Sequence, residues 1–327
     1  MNLLPQASDA ASETDWLLAG LTIISLFVLA LVFGLMFVFV IRYRHDSGVD
    51  RGKEATKTWR IETAWTAATL VGFFALFIWA GNLYARLFQP HPDPLTINVI
   101  AKQWMWKAEY PGGQREINAL HLPVGRNIQL LMTSEDVIHD FGLPAFRLKH
   151  DVLPGRYESL WLKPDRPGSY RLYCDQFCGT DHASMIGTVV VMTAPDYQDW
   201  LEQNGTSQGL VASGHELFIR NGCDGCHQNG WSGGGGNARA PSLNGLYMSP
   251  VPLADGTTVI ADDRYIHDSI VYPKEQVVAS FDPVMPSFNG VIGEEDLVKI
   301  IAYIKSLAPN TGVFGLRPNQ QVKDPQQ

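Results

Sequence analysis

Five side chains of this sequence form a donor set for a soft metal. Cys174, Cys178, His182 and Met185 share one stretch, Cys174-Asp-Gln-Phe-Cys178-Gly-Thr-Asp-His182-Ala-Ser-Met185, and His139 closes an earlier strand-like run. Thiolates, imidazoles and a thioether together favour copper. A single blue-copper site takes one Cys, two His and a weak Met, so the second Cys implies a second copper. The competing reading is a Cys174 to Cys178 disulfide, which an oxidising compartment permits but which leaves His182 and Met185 without a role. A second segment, Cys223-Asp-Gly-Cys226-His227, has the c-type haem attachment pattern, in which two thioethers hold the vinyl groups and the adjacent His supplies a nitrogen to iron. No second Cys pair or His pair with zinc spacing follows it, which argues against half of a zinc site.

These two segments use all 4 Cys of the chain, so a disulfide scaffold is excluded. With 25 Lys+Arg against 33 Asp+Glu the net charge is -8, the wrong sign for a nucleic-acid binder. A length of 327 residues, 46% of them hydrophobic, predicts two or three folded domains. Two runs carry no charge for unusually long. As helices, Trp16 to Ile41 would reach about 39 Å and Thr63 to Ala85 about 35 Å, each enough to cross a lipid bilayer. A signal peptide is the alternative for the first run, but it is too long and follows Asp9, Glu13 and Asp15 rather than basic residues. The connecting loop holds Arg42, Arg44, Arg51, Lys53, Lys57 and Arg60, which makes it cytoplasmic by the positive-inside rule. The expected organisation is an outward-facing segment over 1–15, then a two-helix membrane hairpin over 16–88 with its loop at 42–61.

Downstream, His91-Pro-Asp-Pro94 is stiff and turn-like. Apolar residues then alternate at Ile97 and Val99, at Ile128, Leu130 and Met132, and at Tyr170, Leu172 and Cys174, before a β-branched stretch at 188–191. Short strands separated by Pro-Gly pairs predict an all-β domain over 95–200, an antiparallel sandwich or barrel. Gln203 to Gly209 reads as a linker. A third domain over 211–309 has a helix-like start, a glycine run at Gly233 to Gly236 and an amphipathic helix from Glu294 to Leu307. The Pro- and Gln-rich residues 310–327 read as a flexible tail.

With the Cys loop preceded by two spans, by Gln103-Trp-Met-Trp106 and by Ser134-Glu-Asp-Val-Ile-His139, residues 1 to about 197 resemble subunit II of the haem-copper cytochrome c oxidases. The resemblance implies a cupredoxin fold, a Greek-key barrel or sandwich. It also implies a binuclear copper centre of the CuA type, with His139, Cys174, Cys178, His182 and Met185 as side-chain ligands and both thiolates bridging the two metals. The remaining ligand it implies is the main-chain carbonyl of Gln176. The family usually has Glu at that position. A carbonyl survives the change, but a magnesium bound by the family's carboxylate at the boundary with subunit I is put in question. The first Trp of the Gln103-Trp-Met-Trp106 motif is the family's surface point for electrons from cytochrome c, which implies that role for Trp104. Composition alone would make both Trp104 and Trp106 core aromatics, and Trp106 stays one. Glu62-Thr-Ala-Trp-Thr66 reproduces the setting of a family Glu at the mouth of a proton-uptake channel of subunit I. The Pro that commonly follows is replaced here by Ala, and a carboxylate at a helix N-terminus is also stabilised without further role.

After the haem motif, Ala240-Pro-Ser-Leu-Asn-Gly-Leu246 and Met285-Pro-Ser-Phe288 resemble the order of small all-α class I cytochromes c. That implies Met285 as the second axial ligand of iron, with Met248 and His267 as competitors. The fusion is similar to subunit II of caa-type bacterial oxidases. It implies a chain of the bacterial inner membrane, with copper and haem domains on the periplasmic side, that partners subunit I and subunit III of a proton-translocating, oxygen-reducing complex. The stretch from Val211 to Pro309 has 11 acidic and 6 basic residues, which suits an external cytochrome c donor with a basic face. Two rivals are the copper-bearing subunit of a nitric oxide reductase, and a membrane-anchored copper-binding or assembly protein. The haem motif argues against the second.

Overall fold

The computed structural model describes residues 5–50, 58–205, 209–227 and 240–308. The glycine run at 233–236, the tail at 310–327, and Arg51, Lys53 and Lys57 of the basic loop lie outside them. The chain divides into two compact units, Asp9–Gln89 on one side and Met1–Ser8 with Pro90–Gln327 on the other.

The first unit is a pair of helices, α1 (Asp9–Arg42) and α2 (Trp59–Leu87), both long and apolar enough to cross a membrane. Helix α1 starts at Asp9, so the expected segment over 1–15 is corrected. Residues 9–15 are helical, and Asp9 in the first turn complements the helix dipole. Phe33, Phe37, Phe73 and Phe77 are exposed, a surface whose natural solvent is lipid. The two helices are tied by an ion pair between Arg86 and Glu13. They also meet where Gly20 leaves room for the Trp79 ring, 3.2 Å from where a Cβ would stand.

The second unit begins with a β-sandwich. Its strands are β1 (Leu95–Lys102), β2 (Met105–Glu109), β3 (Arg115–Ile117), β4 (Ala119–Pro123), β5 (Ile128–Ser134), β6 (His139–Leu143), β7 (Leu148–Val152), β8 (Glu158–Leu162), β9 (Gly168–Cys174) and β10 (Ile186–Met192). They form two sheets, ordered β3-β2-β1-β5-β8 and β4-β10-β9-β6-β7. Most pairs are antiparallel, as expected, but each sheet contains one parallel pair, β1 with β5 and β4 with β10. Both parallel pairs join strands distant in sequence, for which a hairpin is unavailable. Trp106 is buried at the sandwich centre with its ring edge-on to Phe141, centroids 4.9 Å apart, so it packs as expected. Residues Pro5 to Ser8 also belong here: Ala7 N donates to Ala145 O and Asp165 N to Ala7 O, both at 2.9 Å. Helix α3 (Ala194–Gln203) closes the sandwich, capped by Thr193, whose Oγ1 accepts from Asp196 N.

The last domain has helices α4 (Leu210–Arg220), α5 (Asp263–Val271) and α6 (Glu294–Ser306). It also has a small hairpin, β11 (Pro250–Pro252) with β12 (Thr258–Ile260), so it is not purely helical. The turn at Asp255-Gly256 forces the reversal, and Asp255 Oδ1 accepts from Thr257 N at 2.9 Å. Helices α4 and α6 cross at Gly214, where a Cβ would lie 1.9 Å from the Lys299 carbonyl oxygen. Only glycine permits that approach.

Helix α6 also covers the outer face of β1. That is why β1 is buried on both faces rather than alternating: Thr96 and Asn98 are as hidden as Ile97 and Val99. A charged seam flanks the contact, with Arg115 to Glu295 at 3.2 Å, Lys107 to Glu295 at 3.6 Å and Lys299 to Glu109 at 3.9 Å. Glu109 is 2% exposed. Burial raises its carboxyl to about 7, against the pull of Lys299 and Arg115.

Candidate metal and haem sites

The copper-type donor set converges where β9 ends. Strands β6 and β9 pair with Phe141 opposite Cys174, which sets His139, two residues earlier on β6, beside the start of the Cys loop. The loop returns through a short 3-10 turn at His182–Ser184, and Cys174 N donates to Met185 O at 3.2 Å. Cys174 Sγ lies 3.7 Å from Cys178 Sγ and 3.9 Å from His139 Nδ1. Cys178 Sγ lies 3.4 Å from His182 Nδ1 and 3.8 Å from Met185 Sδ. The Gln176 carbonyl is 3.2 Å from Cys174 Sγ, while its side chain is exposed. His139, Cys174, Cys178 and Met185 are buried.

Such separations suit donors shared around ions with bonds of roughly 2.0–2.3 Å. They exclude the disulfide reading, which needs sulfurs about 2.05 Å apart, and both cysteines are free. The two thiols differ in readiness. Burial alone would raise Cys174, but the bond to His139 and neighbouring backbone groups outweigh it and lower the thiol to about 7. Burial beside that first thiolate pushes Cys178 up to about 12. A bound cation would ionise the second thiol, with release of a proton.

Two residues that lie in the quoted motifs but carry no metal-ligand role there hold this site. Asp136 Oδ1 lies 2.9 Å from His139 Nε2, which fixes the ring so that Nδ1 faces Cys174. Burial would raise the Asp136 carboxyl, yet bonds from the Gln103 N–H, His139 and the Val137 N–H keep it below the usual range. Gln103, in the turn between β1 and β2, donates its backbone N–H to Asp136 Oδ2 at 2.7 Å and its side-chain amide to the Cys178 carbonyl at 2.8 Å. The signal for Asp136 was its place three residues before His139; Gln103 opens the Gln103-Trp-Met-Trp106 motif, but nothing there shows that it reaches the copper loop. The half-buried ring of Trp104 approaches the copper loop at Gly179, 3.2 Å from where a Cβ would be, and its Nε1 has no hydrogen-bond partner among the described residues. Glu62 lies in the first turn of α2, exposed.

In the last domain, α4 runs into a 3-10 turn at Cys223–Gly225 that presents Cys223, Cys226 and His227 together. They line a cavity of about 250 Å³, walled mainly by apolar residues such as Leu243, Ile266, Phe288 and Ile300, and Met285 lines the same cavity. His227 Nδ1 donates to the Pro241 carbonyl at 3.0 Å, which leaves Nε2 as the electron-pair donor. Burial also lowers the His227 pKa, so the ring is neutral, as an iron ligand must be. An apolar cradle with two thiols, an imidazole and a thioether fits a covalently attached haem. The competitors do not share it. Met248 is 58% exposed, and His267 is buried between Asp268 and Glu294, at 3.0 and 3.1 Å. His121, outside both sites, pairs with Glu116 at 2.7 Å and stacks on Trp200.

Known proteins match both halves of this arrangement. The family described as cytochrome c oxidase subunit II, periplasmic domain, matches residues 114–193, a range that holds all five copper-type side chains. The family described as cytochrome c oxidase, cbb3-type, subunit III, matches residues 209–304, which hold the haem motif and Met285. Cytochrome c oxidase subunit 2 of Alkalihalophilus pseudofirmus is 26% identical over 312 residues, 90% of this chain and 88% of that one. The alternative cytochrome c oxidase subunit 2 of Bradyrhizobium diazoefficiens is 28% identical, across 59% of this chain and 80% of that relative. A crystal structure of the periplasmic domain of subunit II of cytochrome oxidase from Bradyrhizobium japonicum is 33% identical, covering 35% of this chain and 95% of that one, with a TM-score of 0.34. The chain thus joins a cytochrome c oxidase subunit II domain to a cytochrome c domain in one polypeptide.

Proposed function

We propose that this chain takes electrons from an external cytochrome c and passes them, by way of its own haem c and a binuclear copper centre, to the haem-copper site of subunit I, where oxygen is reduced to water. The observation that carries the reading is the convergence of His139, Cys174, Cys178, His182 and Met185 in a chain that also brings His227 and Met285 to one cavity. When bound, the two coppers and the haem supply one-electron chemistry, with Met and His ligation raising the haem potential toward that of an electron donor to an oxidase.

Cys174, Cys178, His139, His182, Met185 and the main-chain carbonyl of Gln176 would hold the two coppers, the thiolates and imidazoles as the strong donors and the thioether as a weak one. Cys223 and Cys226 would hold a haem covalently through thioethers, and His227 and Met285, which line the same cavity, would supply a nitrogen and a sulfur to its iron. The tether between the domains raises the effective concentration of the donor haem to about millimolar, without a new contact. Trp104, against the copper loop, lies on the route from haem to copper. Helices α1 and α2 anchor the chain in the bacterial inner membrane, with the basic loop cytoplasmic and the folded domains periplasmic. Glu62 then sits at the cytoplasmic end of α2, at the mouth of a proton channel of subunit I. Subunit III completes the complex. Gln176 is exposed and offers a neutral amide in place of a carboxylate, which puts a magnesium ion at the subunit I boundary in question.

The test is purification with native partners. Electron paramagnetic resonance of the partly oxidised protein should show one unpaired electron shared by two coppers, and the complex should consume oxygen. Nitric oxide consumption without oxygen consumption would transfer the chain to a reductase, and one localised copper would remove the binuclear centre.

A further inference from the structure

The copper donors come from two separate pieces of chain. His139 belongs to β6, whereas Cys174 ends β9 and Cys178, His182 and Met185 follow in the loop between β9 and β10. Strand pairing next to the site is limited to Phe141 with Cys174 and Gly142 with Tyr173. Beyond Cys174 the loop leaves the sheet, so the ladder does not set how far Cys178 stands from His139. A third piece of chain spans that gap. Gln103 reaches the His139 side through its backbone N–H on Asp136 Oδ2, and the Cys178 side through its amide on the Cys178 carbonyl.

We propose that Gln103 is a positioning residue for the copper centre, a cross-brace that sets the spacing of its two ligand pieces. The proposal rests on the binuclear reading above. The brace acts on both sides through hydrogen bonds rather than metal contact. On one side Asp136, held by the Gln103 N–H, orients the His139 ring. On the other, the amide ties down the carbonyl of the residue whose sulfur bridges. The same turn carries Trp104, whose ring lies against Gly179, the residue after Cys178. The brace therefore also fixes Trp104 relative to the ligands. Partners that orient a metal's ligands are worth roughly 10- to 100-fold in metal affinity.

Gln103 is an exposed residue at a turn, so its side chain can be changed without emptying the core. Gln103→Glu keeps the length and shape but replaces the N–H donor with a carboxylate that repels the Cys178 carbonyl; Gln103→Leu removes the polar end altogether. In the full-length chain loaded with copper, both variants should bind copper about tenfold more weakly in competition with a chelator, and the shared-electron signal should change its hyperfine pattern. Gln103→Lys, which restores a donor nitrogen on a flexible stem, should regain most of the affinity. The haem spectrum should stay the same in all three. Wild-type copper affinity and an unaltered signal in Gln103→Glu would overturn the brace. Absence of a binuclear signal in the wild-type chain would instead overturn the copper reading itself, so the two failures are told apart.

Discussion

The copper-type and haem-type sites solve the same problem, holding soft ligands for an electron carrier, in opposite ways. At the first, four of five side chains come from one loop, and sulfur and nitrogen atoms already stand 3.4 to 3.9 Å apart. At the second, His227 and Met285 are 58 positions apart in the sequence and both line a cavity of about 250 Å³. The loop is held by hydrogen bonds within the sandwich domain, some of them distant in sequence, whereas the cavity exists only if α4, α5 and α6 pack correctly. The copper site should therefore be sensitive to its own donors and indifferent to helix packing, and the haem site the reverse.

Two substitutions would break this comparison most sharply. Cys178→Ser should abolish the shared-electron signal, because one thiolate cannot form the double bridge, and leave the haem spectrum untouched. Gly214→Val should have the mirror effect. A side chain there meets the Lys299 carbonyl, and overpacking of this kind costs roughly 3 kcal/mol, enough to loosen the haem domain while the copper signal persists. Parallel optical and paramagnetic spectra of both variants check the pair, and loss of both signals in either one would show that the sites are not independent.

Met285→Ala sharpens the haem side with a smaller effect. Haem should remain attached after acid-acetone extraction, since Cys223 and Cys226 are unchanged, while the sulfur-to-iron band of the ferric protein disappears and the potential falls. Persistence of the band would move the axial role to another residue.

How much of this was legible in the sequence follows the same division. The Cys loop reads directly because four donors sit within a few residues of one another. The Pro241 carbonyl that orients His227 lay in a motif already marked, though its bond became visible only with the fold. Gln103 and Asp136 were not legible as a pair, because their bonds join a turn after β1 to a segment before β6. The charge-free criterion for a span also missed the start of α1, since Asp9 and Glu13 are helical yet charged. Period-two alternation failed on β1 because a helix about two hundred residues later covers its outer face.

That covered face supplies the smallest predicted effect. Glu109 binds its proton more tightly folded, with its pKa raised from 4.5 to about 7, so stability falls as pH rises from about 5 toward 7 and levels off above. The upper bound is roughly 3 kcal/mol, because each pKa unit is worth about 1.4 kcal/mol. Glu109→Gln should flatten that slope in calorimetric melts across this range. A slope retained in full would assign the pH dependence to other groups.

The central claim is that electrons pass within this one chain from its haem to its copper. Rapid mixing of the oxidised full-length protein with reduced cytochrome c, followed at the haem and copper bands, tests it most directly. The account predicts that the haem is reduced first, and that the copper follows at a rate independent of protein concentration, as an intramolecular step requires. Copper reduced before the haem, or at a rate that rises with donor concentration while the haem lags, would contradict it.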